Sequence, residues 1–397
     1  MRIGLFTDTY SPQVNGVATS TRMLRERLTA AGHEVFVFTT TDPGAVPAVP
    51  SGEGLFRIVS IPVLGARRLA CPPPTQAARI GRLNLDVIHT QTEFTMGFLG
   101  QAAGRRHGIP LVHTMHTFYE DYTHYVTRSK RMEPLARRAV QELTRVFANR
   151  ADNVIAPTAK AEATMRGYGV TGPIHVIPTG VELGRFAPSR AHPLRLAALR
   201  RRHGIGQTDK VIVNVGRLSK EKNVEEILET MRVYLPSRRG VTLLLVGDGP
   251  RRRGLADAVD AYGLAGRVVF AGELPWDQIA EYYWAADVFL GASRSETQGL
   301  AYIEALASGL PVIAKADPCL DGVLAHGQNG YMFNDTRQMM GTLDAALFDP
   351  DNRHRLSATA RTSASRFSAE VFAESVEAVY REMACVGPRF PAGAADR

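Results

Sequence analysis

A chain of 397 residues is long for one domain and natural for two, and a hydrophobic content of 45% supplies a core for each. Charged residues at 22% are ordinary for a globular protein and exclude a largely disordered chain. Three well-separated cysteines (Cys71, Cys319, Cys385), an early polar start and no apolar run near 18 residues argue against a disulfide framework, a zinc site, a signal peptide and a spanning helix; a reducing cytosol fits best.

In chain order, residues 3–7 read as a buried strand, 17–31 as a helix with Met23, Leu24 and Leu28 on one face, and 35–39 as the next strand. Strand, helix, strand is a parallel unit. Further strands are expected at 86–89, 110–113, 153–156 and 175–178. A second series begins at Lys210: strands at 211–215, 241–246, 267–270, 288–290 and 311–314, with a helix over 223–234. The fold expected is α/β, two doubly wound Rossmann-like domains, with ligands in the cleft at the carboxyl ends of the strands. The divisions are 1–182 for the first domain, 183–207 for a connection rich in Arg, Pro, Ala and His, and 208–366 for the second domain. A C-terminal helix over 367–386 is expected to pack back on the first domain, followed by a frayed tail at 387–397.

The strongest motif is SRSETQGLAYIEALASGLP at 293–311. Glu296 follows a strand, and a helix should start near Gly299, stop at Gly309 and be barred from continuing by Pro311. Its open N-terminal amides suit a diphosphate. Counted as eight helical residues, Glu296 and Glu304 stand roughly 12 Å apart along the axis. That is too far for a glycosidase pair and better matched to two hydroxyl-rich ends of one ligand. Two cations, Arg217 and Lys222, follow the strand ending at Val215 in GRLSKEKN at 216–223, where phosphate charge is to be stabilised. In YSPQVNGV at 10–17, Asn15-Gly16 tolerates positive φ and lets backbone approach a phosphate; a plain tight turn explains it as well. HTMHTFYEDY at 113–122 ends a strand and carries His113, His116 and Asp121.

Together these segments resemble glycosyltransferase family 4, retaining enzymes of the glycosyltransferase-B fold, over nearly the whole chain. The resemblance implies that Glu296 contacts hexose hydroxyls and Glu304 the nucleotide ribose. The amides of Thr297, Gln298, Gly299 and Leu300 then meet sugar and diphosphate. Arg217 and Lys222 neutralise the departing diphosphate, Gly16 approaches the donor and His116 lies at the donor sugar; His113 reads as structural. Many relatives have two glycines where this chain has Asn15-Gly16, so only Gly16 is carried over. The finer resemblance is to bacterial 1,2-diacylglycerol 3-glucosyltransferases, carried by TDTYSPQVNGVATS at 7–20, FTTTDP at 38–43, YEDY at 119–122 and SETQGL at 295–300. It implies UDP-glucose as donor and an α-linked glucolipid as product; no essential metal or other cofactor is expected, because Arg217, Lys222 and the helix dipole take the cation's role at the phosphates. Asp121 is read either as orienting the acceptor hydroxyl or as a structural carboxylate. A GDP-mannose-dependent mannosyltransferase and a soluble transferase with a small acceptor are the alternatives.

The net charge of +8 lies wholly in the first half: residues 1–190 carry 22 Lys/Arg against 14 Asp/Glu, and residues 191–397 carry 25 against 25. Such asymmetry fits an anionic surface or simply a solvated face. Over 133–150, Leu135, Ala139, Leu143 and Phe147 form one stripe, while Arg131, Arg138 and Arg145 recur on another face. A basic amphipathic segment of this kind lies on anionic lipid, and core packing explains the stripe equally well. Residues 59–78 are a second candidate contact loop. The location expected is cytoplasmic, peripheral on the inner face of the membrane. No helix-turn-helix or stacking motif supports nucleic acid as partner. Asp349 and Asp351 have the spacing of a metal pair but read as a turn.

Overall fold

The computed structural model describes residues 1–13, 15–41, 54–63, 68–73, 76–118 and 132–386. The chain divides into two units, one of residues 1–180 with 369–397, the other of residues 181–368.

In the first unit the strands are β1 (Arg2–Phe6), β2 (Glu34–Thr40), β3 (Leu55–Ile58), β4 (Ser60–Pro62), β5 (Arg68–Ala70), β6 (Val87–Thr90), β7 (Leu111–Thr114), β8 (Asn153–Ala156) and β9 (Ile174–Val176). Seven of them form one sheet in the order β3-β2-β1-β6-β7-β8-β9, every pairing parallel. β4 and β5 form a separate antiparallel hairpin. The strand order reverses between β1 and β6, so the loops leaving these two strands diverge and open a crevice at their carboxyl ends. Ile3 and Leu5 of β1 share a buried cluster with Met23, Leu24 and Leu28 of the helix Gly16–Ala30. The helix Ala369–Val386 adds Phe372, Val376, Val379 and Tyr380 to the same cluster, so the last helix is part of the first unit's core.

In the second unit, β10 (Lys210–Val215), β11 (Val241–Val246), β12 (Val268–Gly272), β13 (Val288–Gly291), β14 (Val312–Lys315) and β15 (Gly330–Phe333) form an all-parallel sheet in the order β12-β11-β10-β13-β14-β15. All six residues of β11 are buried, as expected for a strand covered by helices on both faces. The reversal falls between β10 and β13. Residues 183–207, expected as a connection between domains, belong to this unit instead. Phe186, Leu199 and Ile205 sit in its core with Tyr283 and Phe289, and Leu183 and Leu196 pack against it.

Candidate functional site: the strand-end loops of each unit

The loops after β10 and β13 stand on the two strands that flank the reversal in the second unit. Leu218 and Ser219 are buried and anchor the first loop, while Arg217 is exposed and in no ion pair with a described residue. The neighbouring loop at 247–249 locks it from behind. The Leu218 amide donates to Asp248 O at 2.9 Å, and a Cβ on Gly249 would meet Leu218 O at 2.5 Å. The second loop is tied to the first: Ser293 Oγ donates to Glu221 O at 3.2 Å, and the Lys222 ammonium forms an ion pair with the Glu296 carboxylate. A cation suited to a phosphate oxygen and a carboxylate suited to hydroxyls thus lie side by side.

Gly299, at φ 76°, turns the second loop into the helix Leu300–Ala307. Its N-cap residue, Gly299, has no side chain to cap it, and its first turn holds no acid. Its leading amides therefore lack the usual capping acceptor and carry the positive end of the helix dipole. Glu296 stands before the helix, not on it, so the expected 12 Å of axial rise does not apply. Only Leu300 to Glu304 is helical, about 6 Å of rise. The loop's course is set by Tyr302, 4% exposed, whose ring fills the space a Cβ would need at both Gly291 and Gly299.

Glu304 is half-buried and accepts a 2.8 Å hydrogen bond from the Tyr283 hydroxyl. Loss of solvent pushes its carboxyl up to about 7, against the opposing pull of Tyr283 and of the Arg185 charge. Arg185 is itself held over the Trp276 ring, 3.3 Å from the centroid. Sequence reasoning missed Tyr283, and it missed Glu226. The Glu226 carboxylate accepts from Lys315 Nζ at 2.6 Å, Arg294 Nη2 at 2.8 Å and Asn223 Nδ2 at 2.5 Å, so it braces both loops. Burial raises this carboxyl, and the three donors outweigh burial and hold it below its ordinary range. The spacing Asn223-x-x-Glu226, a capping-box pattern, was the available signal.

In the first unit, Asn15 has an extended backbone (φ −158°) and caps the helix Gly16–Ala30 by accepting from Ala18 N at 2.9 Å. Gly16 is the first helical residue and neither residue has positive φ, so the expected reason for Asn-Gly does not hold. The pair starts a helix. Asp8 accepts from the Thr92 and Thr95 hydroxyls at 2.6 Å and from Met96 N at 3.2 Å, at the start of the helix Thr95–His107. His113 is 1% exposed, between Thr90 Oγ1 at 3.0 Å and Glu93 Oε1 at 3.3 Å, which makes it part of the core. His116, just beyond β7, is half-buried and meets the Gln91 carboxamide oxygen through Nε2 at 2.8 Å. Burial, with His113 nearby, lowers its pKa to about 3, so the ring is neutral at physiological pH. Gln91 was not anticipated; its place one residue past a buried strand was the signal. Asp121, with Tyr119, Glu120 and Tyr122, lies outside the described residues, as does Arg131.

The helix Glu133–Asn149 buries only Thr144, Phe147 and Ala148, leaving Leu135 61% exposed and Leu143 exposed as well. Core packing therefore accounts for its C-terminal end and not for the rest of the stripe. The β4–β5 hairpin also exposes Val59, Ile61 and Val63. The helix Thr95–His107 links the two features: Thr95 Oγ1 accepts from Ala70 N at 2.8 Å, and the partly exposed Phe98 packs edge-on against Phe147. Among the described residues no helix is long and apolar enough to cross a membrane. Asp349 caps the helix Pro350–Ala364 by accepting from Asn352 N at 3.0 Å, so Asp349 and Asp351 start a helix.

Two parallel-sheet Rossmann-like units, each with its candidate groups on strand-end loops, define a glycosyltransferase-B architecture. The family models agree with that class: residues 14–185 match Glycosyltransferase Family 4 and residues 197–363 match Glycosyl transferases group 1. The chain is 39% identical to the alpha-monoglucosyldiacylglycerol synthase of Streptococcus pneumoniae, over 96% of this chain and 85% of that protein. It is 33% identical to the protein of the same name from Acholeplasma laidlawii, over 96% of this chain and 97% of that one. A crystal structure of Anabaena HepE in complex with UDP superposes with a TM-score of 0.77 at 20% identity, covering 96% of this chain and all of that one. The chain belongs to glycosyltransferase family 4 and is a nucleotide-sugar-dependent hexosyltransferase.

Proposed function

We propose that this enzyme transfers glucose from UDP-glucose to the 3-hydroxyl of 1,2-diacylglycerol, with retention, giving α-monoglucosyldiacylglycerol at an anionic membrane surface on the cytoplasmic side. The observation that carries the acceptor is the identity of 39% and 33%, over 96% of the chain, to two proteins named for that product. In this reading Glu296 binds hexose hydroxyls and Glu304 the ribose. The amides of Thr297, Gln298, Gly299 and Leu300 receive the sugar and diphosphate, and the uncapped start of the helix Leu300–Ala307 supports that role. Arg217 and Lys222 stabilise the diphosphate as its bond to the sugar breaks. His116 contacts the donor sugar, Gly16 belongs to the donor approach, and Asp121 orients the acceptor hydroxyl. The acceptor oxygen attacks C1 on the face the diphosphate leaves. The C1–O bond to phosphate breaks as the new C1–O bond forms, and the hydroxyl proton passes to the departing phosphate oxygen. No metal or other cofactor is assigned a part. The exposed stripe of the helix Glu133–Asn149 and the hairpin residues Val59, Ile61 and Val63 support docking on lipid.

The test is a donor panel of UDP-glucose, UDP-galactose and GDP-mannose against diacylglycerol in anionic vesicles, with product identified by mass and anomeric configuration. An α-glucolipid formed only from UDP-glucose is expected; a mannolipid from GDP-mannose would overturn the donor assignment. Glu296→Ala run alongside should lose at least about a hundredfold in turnover, and full activity would remove Glu296 from the site.

A further inference from the structure

Gln91 lies one residue beyond β6 and His116 two residues beyond β7, on adjacent parallel strands of the first unit. Gln91 is 1% exposed, and its backbone amide is fixed by a 2.8 Å hydrogen bond to Phe6 O. Its side chain is used at one end only. Oε1 meets His116 Nε2 at 2.8 Å, whereas the amide nitrogen Nε2 is buried with no hydrogen-bond partner among the described residues. A carbonyl oxygen only accepts, so this contact requires the proton on His116 Nε2 and leaves Nδ1 as the ring's acceptor. Nε2 and Oε1 share one carbon, so the unfilled donor lies within about 5 Å of the imidazole. Buried donors are almost always satisfied, and an orphan next to a strand-end histidine calls for a ligand atom.

We propose that Gln91 is a positioning residue for His116 and that its free amide donates to a hydroxyl of the bound substrate. The carboxamide sets the tautomer of His116, and the substrate completes the carboxamide's hydrogen bonding. This inference rests on the role given to His116 above. It adds that the histidine acts as a neutral acceptor through Nδ1 and that its orientation comes from Gln91. Glutamine suits this better than an acid, since a carboxylate at 91 has no donor and favours imidazolium.

The experiment combines imidazole ¹⁵N NMR with kinetics on Gln91→Leu, Gln91→Glu and His116→Ala, the last also assigning the His116 resonance. The wild-type enzyme should show the Nε2-protonated tautomer of His116 across pH 5–8, and Gln91→Leu should lose that single tautomer while keeping the wild-type circular dichroism. In Gln91→Leu, kcat/KM should fall about tenfold or more, the equivalent of one hydrogen bond of about 1.4 kcal/mol. Gln91→Glu should give the pH profile of kcat/KM a new acidic limb as His116 gains a proton. A wild-type Nδ1-protonated ring, or a tautomer unchanged in Gln91→Leu, overturns the inference. Impaired His116→Ala beside fully active Gln91→Leu overturns it and leaves the proposed role of His116 standing. Full activity of His116→Ala overturns that role and the inference together.

Discussion

Replacing Gly299 by alanine tests whether the loop leading into the helix Leu300–Ala307 is set by Tyr302. Gly299 has φ 76°, a left-handed conformation that costs an alanine about 1–2 kcal/mol. The new Cβ would also lie inside contact distance of Tyr302 Cδ2 and 2.7 Å from Cε2. That ring is 4% exposed and confined on its other edge, since a Cβ on Gly291 would stand only 2.5 Å from Cε1. Overpacking of this kind costs about 1–3 kcal/mol, so Gly299→Ala should destabilise the second unit by about 2–5 kcal/mol. Gly266→Ala is the control: its φ is 75° with nothing within 4 Å of a Cβ, so only the backbone cost of about 1–2 kcal/mol applies. Both tryptophans, Trp276 and Trp284, belong to the second unit, so urea unfolding followed by tryptophan fluorescence reports on that unit alone. In a Tyr302→Leu background the cost of Gly299→Ala should shrink toward the Gly266 value. Equal costs at 299 and 266 in the wild-type background would refute the steric account.

Three further outcomes follow from the same geometry. The Glu304 carboxyl rises from 4.5 to about 7 in the folded protein, so the native state holds the extra proton between those values. Stability of the second unit should therefore fall, by up to about 3 kcal/mol, as pH rises through 4.5 to 7. Glu304→Gln should flatten that slope in tryptophan-monitored unfolding, and an unchanged slope would refute the assignment. Glu226→Ala removes the shared acceptor of Lys315, Arg294 and Asn223 and should cost about 1–3 kcal/mol. Donor KM should rise more than kcat falls, and an unchanged donor KM would show that the brace does not position the loop. Leu135→Glu with Leu143→Glu, both at exposed positions, should leave the melting temperature within about 2 °C and abolish flotation with anionic vesicles at low salt. Flotation equal to wild type would place lipid contact elsewhere.

The strands were legible wherever the chain is apolar without interruption. Val241–Val246 is such a run, because a central parallel strand is buried on both faces. β3 escaped notice because it is short and mostly half-buried, and β15 because it opens on a glycine. The helix Pro350–Ala364 buries only Leu356, Ala360 and Ala364, too thin a stripe to stand out. The stretch 183–207 misled through its arginines: composition reports solvent contact, while Phe186, Leu199 and Ile205 decide which core it joins.

The proposed donor half of the candidate site rests on local sequence patterns that the proposed acceptor half lacks, and the reason is physical. Recognition of a diphosphate draws on groups close together in sequence: a glycine that turns the chain, an uncapped helix start and a cation a few residues past a strand. Gly299, the helix Leu300–Ala307, Arg217 and Lys222 are of that kind, and each leaves a local pattern. The groups that tune them do not. Tyr283 reaches Glu304 from another helix, Lys315 reaches Glu226 across 89 positions of sequence, and Gln91 reaches His116 from the next strand. A lipid surface asks for still less pattern, because burial of apolar area has no direction. Val59 and Ile61 on a hairpin, Phe98 on one helix and Leu135 on another can serve it together, and only their shared exposure marks them as a set. The first unit's chemistry therefore has to be read from exposure and from unfilled hydrogen bonds, which is where Leu135 and the Gln91 amide stand out.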